Sequence, residues 1–249
     1  MIFPKKVLAG LGGAVLLSAL SAIPTSIIPD SVARAGIFQG YNPPENFSRI
    51  ERTQGAGSRG CSEGQPISLN LITPNDHVAT TVSGHPTFMW HVSAPAPMSF
   101  ALVEPGVAKP VLEKQLKVEK AGIVQLDLPQ EIPQFVEGKE YRWTVSIVCD
   151  ENNPSENIYA RSWVKRVSIT PSLKQKLAVA TQERERAAVY AQNGVWYDAS
   201  ATIYKASQKA PRDHSTSEYL TKLLQQVGLS NIAIQEQRRF TLGLQPKEK

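Results

Sequence analysis

Between residues 66 and 171 the apolar side chains recur at every second position in short runs, with turn residues between the runs. A period of two places one set of side chains inward and the other outward, which is the pattern of half-buried strands. Residues 67–72 alternate in this way. Phe88, Trp90 and Val92 do so, as do Met98, Phe100 and Leu102. Residues 111–118 carry a weaker signal. Val124, Leu126 and Leu128 share a face, and Tyr141, Trp143, Val145, Ile147 and Cys149 form the longest alternation before that of residues 158–169. The breaks are Pro74-Asn75-Asp76, Ser83-Gly84, Pro95-Ala96-Pro97, Glu137-Gly138-Lys139 and Asn152-Asn153-Pro154. About seven short strands separated by turns predict an antiparallel β-sandwich over residues 65–171, immunoglobulin-like or fibronectin-III-like. Phe88, Trp90 and Trp143 are its expected aromatic core.

Past Pro171 the period becomes helical. Ser172 is placed to cap a helix running through Leu173, Leu177, Ala180 and Ala187 to Asn193, where Gly194 ends it. A second helix is expected over residues 195–208, ended by Ala210-Pro211, and a third over 216–227, ended by Gly228. Glu183-Arg184-Glu185-Arg186 is a charged helix face with i,i+3 pairing. The spacing also resembles a tetratricopeptide repeat. Ala187 and Tyr190, Ala199 and Ile203, Ala206 and Pro211 occupy its signature positions, and Gly228 follows Gly194 by one repeat length of about 34 residues. The fold class is thus α+β, a sandwich followed by a three-helix segment over residues 172–229 and a tail over 230–249. One repeat plus a capping helix is one description of the helices; an ordinary helical hairpin packed on the sandwich is the other.

The first 35 residues address the chain. Lys5 and Lys6 precede an apolar run over residues 7–23, and Ala33-Arg34-Ala35 supplies a small-x-small cleavage pattern. This is the pattern of a signal peptide cut before Gly36, and it predicts export to the periplasm, the envelope or the medium. An uncleaved anchor is the alternative, though the run falls short of the ~20 apolar residues of a spanning helix. The first cysteine is Cys61, too far on for a lipid anchor, and no later stretch reaches membrane length, so no transmembrane segment is expected after cleavage. Losing Lys5, Lys6, Arg34 and Asp30 lowers the formal net charge from +5 to +3. A charge that small, spread along the chain, argues against nucleic acid, and Arg238-Arg239 look like part of a solvated terminus.

Residues 36–64, rich in Gly, Pro, Ser and Asn, have the composition of a flexible tether. Its Gly55-Ala56-Gly57-Ser58-Arg59-Gly60 stretch lacks the flanking strand, the helix and the Gly-Lys-Ser/Thr ending of a phosphate loop. In an exported chain the two cysteines, Cys61 and Cys149, predict one disulfide that pins the tether to the sheet; two unpaired thiols are the alternative.

Chemistry is sparse. His77, His85, His91 and His214 show no metal-ligand spacing, and the two cysteines have no partners at such spacing. No G-x-S-x-G occurs. Asp150-Glu151 follows a strand into Asn152-Asn153-Pro154, a solvated turn, although glycoside hydrolysis would need such a carboxylate pair across a cleft. No catalytic residue, cofactor or metal is assigned. Two aromatic sites remain. Trp196-Tyr197-Asp198, just after Gly194, would be an exposed anchor for a peptide or sugar, or else Trp196 packs on the sandwich while Tyr197 or Asp198 ties the turn. Trp163, between Arg161 and Lys165, is the second candidate surface.

Arg59-Gly60-Cys61, Pro86-Thr87-Phe88-x-Trp90, Lys139-x-Tyr141-Arg142-Trp143, Cys149-Asp150 and Tyr190-Ala191-x-x-Gly194-x-Trp196-Tyr197-Asp198-Ala199 together resemble a cyanobacterial family, domain of unknown function number 928. The resemblance spans residues 49–228. It implies an envelope or secreted protein and transfers no catalytic residues. The expected function is a non-enzymatic module of the cell envelope that contacts another protein in an accessory or assembly role. A carbohydrate-binding module is the alternative, and an envelope hydrolase a third reading.

Overall fold

The computed structural model describes residues 40–44, 53–55, 61 and 66–241, with side chains as far as Arg239. The expected leader and most of the expected tether lie outside them. All described residues belong to one unit, Phe38–Lys249.

Eight strands form among them: β1 (Leu69–Leu71), β2 (Ala79–Thr81), β3 (Thr87–Val92), β4 (Ala96–Val103), β5 (Leu112–Val118), β6 (Gly122–Asp127), β7 (Glu140–Ile147) and β8 (Ile158–Arg166). One sheet has the order β1-β3-β6 and the other β2-β8-β7-β4-β5. All pairs are antiparallel except β2, which runs parallel to β8. This corrects the purely antiparallel expectation. Ala79-Thr80-Thr81 is three residues long and all buried, so it has no alternation to read, and its direction is fixed by what it joins on either side.

The expected aromatic core is present and spans the two sheets. Phe88 lies 5.2 Å from Phe100 and 5.1 Å from Trp143, ring centre to ring centre, and Trp90 lies 6.2 Å from Phe100. Such offset and tilted pairs add to what the buried area contributes.

Five helices follow: α1 (Pro171–Val179), α2 (Glu183–Gln192), α3 (Trp196–Lys209), α4 (His214–Gln226) and α5 (Ser230–Thr241). Two differ from expectation. The long first helix is two helices. Thr170, not Ser172, caps α1, its Oγ1 accepting from the Leu173 amide at 3.1 Å. Ala180 turns extended, and Gln182 with Glu185 forms a capping box that restarts the chain as α2. Residues 230–241, expected as tail, form α5. Arg239 in that helix donates to the carbonyl of Ala121 and pairs with Glu236 at 3.2 Å, so it is docked and not a solvated terminus.

The helices pack against β2 and over the far face of β3. Met89 and His91 point away from the aromatic core, yet both are buried, because the helical layer covers them. Tyr204 of α3 donates to the Ile123 carbonyl at 3.0 Å, and Lys205 reaches Thr87 at 3.3 Å and Asp127 at 2.9 Å. Strand β3 is therefore buried on both faces. Strands β4, β7 and β8 keep their alternation, one face buried and the other open or half-open.

The N-terminal part of the expected tether is anchored where it is described. The Tyr41 amide donates to Gln226 Oε1 at 2.7 Å, and Gln226 Nε2 donates back to the Tyr41 carbonyl at 2.6 Å. The Asn42 amide donates to the Ala191 carbonyl at 3.0 Å. Gln54 bridges to Asn70. Among the described residues no helix is long and apolar enough to cross a membrane.

Candidate functional site

Three places hold the polar and aromatic groups that chemistry or binding would need. The first is the joint between α3 and the sheets. Trp196 is fully buried, and its Nε1 donates to the Ile72 carbonyl at 2.9 Å. Tyr197 is buried too. Its hydroxyl accepts from Trp143 Nε1 at 2.8 Å and donates to the Trp163 carbonyl at 2.9 Å. Asp198 Oδ2 accepts from Thr81 Oγ1 at 2.7 Å and from the Val82 amide at 3.2 Å. Trp196 and Tyr197 therefore form no exposed anchor; α3 begins inside the fold because two aromatics drive its first turn into the core and their polar ends find partners there. Burial pushes the Asp198 carboxyl up to about 6, against the hydrogen bonds from Thr81 and Val82 that pull it down.

Beside this joint opens a cleft of about 340 Å³ between the β2–β3 connection, α2 and α3. Ser83, Glu183, Tyr190, Asp198, Thr202 and Lys209 are among the side chains that line it. His85 also reaches it, and its Nε2 carries the proton, since it meets the Ile132 carbonyl at 2.8 Å. Ser83 Oγ is held by the His85 amide at 3.1 Å. The cleft thus brings together donors, acceptors and charges of both signs. Glu183 was expected only as helix surface, and Lys205 and Lys209 carried no expectation. Their signal was legible, since Asp198, Thr202, Lys205 and Lys209 recur at helical spacing on one face of α3.

A second grouping has the outline of a relay. Asp76 Oδ1 lies 2.7 Å from His77 Nδ1, and His77 Nε2 lies 2.7 Å from the Tyr41 hydroxyl. The carboxylate accepts from Nδ1, and Nε2 faces the Tyr41 hydroxyl. Tyr41 is 2% exposed, stacks on His77 and meets Trp196 edge-on. Burial holds its hydroxyl far above the usual phenol range, so it stays protonated and acts as a donor that fixes the segment. His77 is accordingly a core residue. His91 is also buried. Burial and the nearby Arg239 lower it to about 4, and among the described residues its Nδ1 has no partner.

The third place is the outer face of the five-stranded sheet. Trp163 on β8 sits opposite Arg142 on β7, and the guanidinium carbon lies 5.9 Å from the indole centre, in cation–π range. Trp163 is half-buried and Arg142 exposed. The next row of the face is Arg161, Thr144, Ala101 and Glu113, and the row after it Tyr159, Ser146, Ser99 and Gln115. Lys165 stands opposite Glu140. Along β4, β7 and β8 this face is open or half-open, while at its β2 margin Thr80 is buried and donates to the Gly194 carbonyl at 2.8 Å. The Trp163 candidate is thus placed on an open surface, together with Arg142, which was not singled out although period two puts it on that face.

Cys61 and Cys149 are joined by a disulfide, their Cα atoms 4.8 Å apart. Asp150 and Glu151 are exposed beyond it, in a hollow of about 690 Å³. Among the described residues no three His, Cys, Asp or Glu side chains converge as a metal-ion set.

Fold and sites together define an α+β, two-sheet protein roofed by helices on one side, open on the other and braced by one disulfide. Within that class the chain belongs to the Domain of Unknown Function (DUF928) family, whose model matches residues 54–237, from the Gln54 bridge into α5. No curated protein matches the chain.

Proposed function

We propose that this chain is an exported, non-enzymatic module of the cell envelope that binds a protein partner through the outer face of its five-stranded sheet, in an accessory or assembly role. The observation that carries this reading is the one-sided roof. The helices bury both faces of β3 and leave the far face of β4, β7 and β8 open. That face has small residues at its centre and Arg142, Arg161 and Trp163 at its margin, and Arg and Trp are the residue types that anchor interfaces. The non-enzymatic reading is supported by the tasks the polar groups already have: Asp198 ties the β2–β3 connection, and Lys205 pairs with Asp127. We further infer an immunoglobulin-like or fibronectin-III-like sandwich, supported by the aromatic layer between the sheets. A tetratricopeptide-like character for α2 to α4 is supported by the Gly194 and Pro211 turns between consecutive helices.

The experiment is a crosslinked pull-down from envelope fractions with the mature chain and with an Arg142→Glu, Arg161→Glu double variant. The reading expects a discrete protein adduct with the first and its loss with the second; equal recovery with both sinks it. A second reading, a carbohydrate-binding module, draws on the half-buried indole of Trp163 flanked by donors. It expects glycan binding that disappears in Trp163→Ala.

A further inference from the structure

The outer face of β8, β7, β4 and β5 carries its charges in an order that is complementary to itself. The row Arg161, Thr144, Ala101, Glu113 crosses these strands with a guanidinium at one end, a carboxylate at the other and small residues between. Arg161 and Glu113 are both exposed, and neither makes an ion pair among the described residues. At the usual strand spacing they stand about 14 Å apart, too far to pair across their own sheet. The next row, Tyr159, Ser146, Ser99 and Gln115, is uncharged and again small at its centre. One row further the signs reverse. Lys117 stands opposite Pro97 at the β5 margin, and Val148, whose amide donates to the Pro97 carbonyl at 2.9 Å, leads into the exposed Asp150-Glu151 turn on the other side.

We propose that the protein partner of this face, on the sheet-face reading above, is a second copy of the same chain, packed face to face about a twofold axis that runs along the strands between β7 and β4. About such an axis each residue meets the residue equally far on the other side of it, and every contact is made twice. Arg161 then faces Glu113 of the second copy, and Glu113 faces its Arg161. Thr144 lies over Ala101 and Ser146 over Ser99, so the sheets can approach to the ~10 Å of stacked sheets, with strands aligned within about 30°. Tyr159 meets Gln115, a phenol against an amide, and Lys117 comes over the Asp150-Glu151 side. A twofold axis laid across the strands would instead set Arg161 on Arg161 and Glu113 on Glu113, so the order of charges selects the first arrangement. An unrelated partner requires no such symmetry of the face. The rows from Trp163 to Lys117 give a footprint of about 500 Å² on each chain, or about 1,000 Å² in all, at the lower end for a specific interface. The pair therefore forms and parts with concentration.

The test is sedimentation velocity of the mature protein from micromolar to sub-millimolar concentration, on wild type, Arg161→Glu, Glu113→Arg and an equimolar mixture of the two variants. Wild type should pass from monomer to dimer as concentration rises. Each variant alone sets like charges against each other at both ends of the row and should dimerise about tenfold more weakly or worse. In the mixture both ends meet an opposite charge, so dimer should return. Both side chains are exposed, and circular dichroism will verify that both variants fold. A wild type that stays monomeric throughout, or a mixture as monomeric as its two components, overturns the second copy. If position 144 on that face then still crosslinks to a different protein, the sheet-face reading stands without it; if nothing crosslinks there, both fail.

Discussion

At the residue scale two buried titrating groups pull stability in opposite directions with pH. Asp198 has a folded value of about 6, above its ordinary 3.8. The folded state then holds the proton more tightly, so the Asp198 contribution is fully present below about 3.8 and is lost as pH rises through 6. His91 has a folded value of about 4 against 6.5. The unfolded chain takes up that proton first, so the His91 contribution is present above 6.5 and is lost as pH falls through 4. Each swing is on the order of 3 kcal/mol. Asp198→Asn, which keeps an acceptor for Thr81 and Val82, should gain stability over wild type as pH rises from 4 to 7. His91→Gln should gain as pH falls over the same range. Urea unfolding of the three proteins at pH 4, 5.5 and 7 checks this; differences that do not change with pH would refute it.

At the element scale the chain is stapled twice from its N-terminal side, and each staple can be cut. The disulfide closes a loop with a sequence separation of 88, for which the chain-entropy model gives about 4–5 kcal/mol as an upper bound. Replacing both Cys61 and Cys149 by Ser should lower the unfolding midpoint. The intact chain should weigh two hydrogens less under non-reducing conditions than after reduction. The Tyr41 staple depends on one ring and one hydroxyl. Tyr41→Phe removes the hydroxyl's hydrogen bond to His77 Nε2 and should cost about 1–3 kcal/mol, whereas Tyr41→Ala also removes the packing and should cost about 3–5 kcal/mol. A protease that cuts near residue 44 faster in Tyr41→Ala than in wild type would show the segment released. The strands other than β2 were legible because their apolar residues recur at period two in the sequence, and the capping box at Gln182 and Glu185 was there to be read within the long first helix. The docking of Tyr41 was not legible. Nothing local to a Gly- and Pro-rich segment says that Gln226, far along the chain, will take both of its backbone groups. The burial of His77 has the same non-local cause.

At the scale of the whole molecule the layers are asymmetric, with β3 buried on both faces and β4, β7 and β8 keeping one open or half-open face. Period two in β3, β7 and β8 says that one face of each strand is buried; it cannot say whether a helix will cover the other. The helical layer covers β3, which is why His91 is buried. The same layer draws Trp196 and Tyr197 into the core and leaves Trp163 at the surface. Of the two aromatic candidates, sequence left open which was buried, and the packing buries Trp196 and Tyr197 and leaves Trp163 half-buried at the surface. The central claim is that the uncovered sheet face is the working surface. The most direct measurement places a photo-crosslinking amino acid at Thr144, near the middle of that face, and in a second protein at Gln235, exposed on α5. Irradiation in cells should give one discrete protein adduct from position 144, absent when Arg142 and Arg161 are both Glu, and none from position 235. No adduct at 144, or the same adduct from both positions, would contradict the claim.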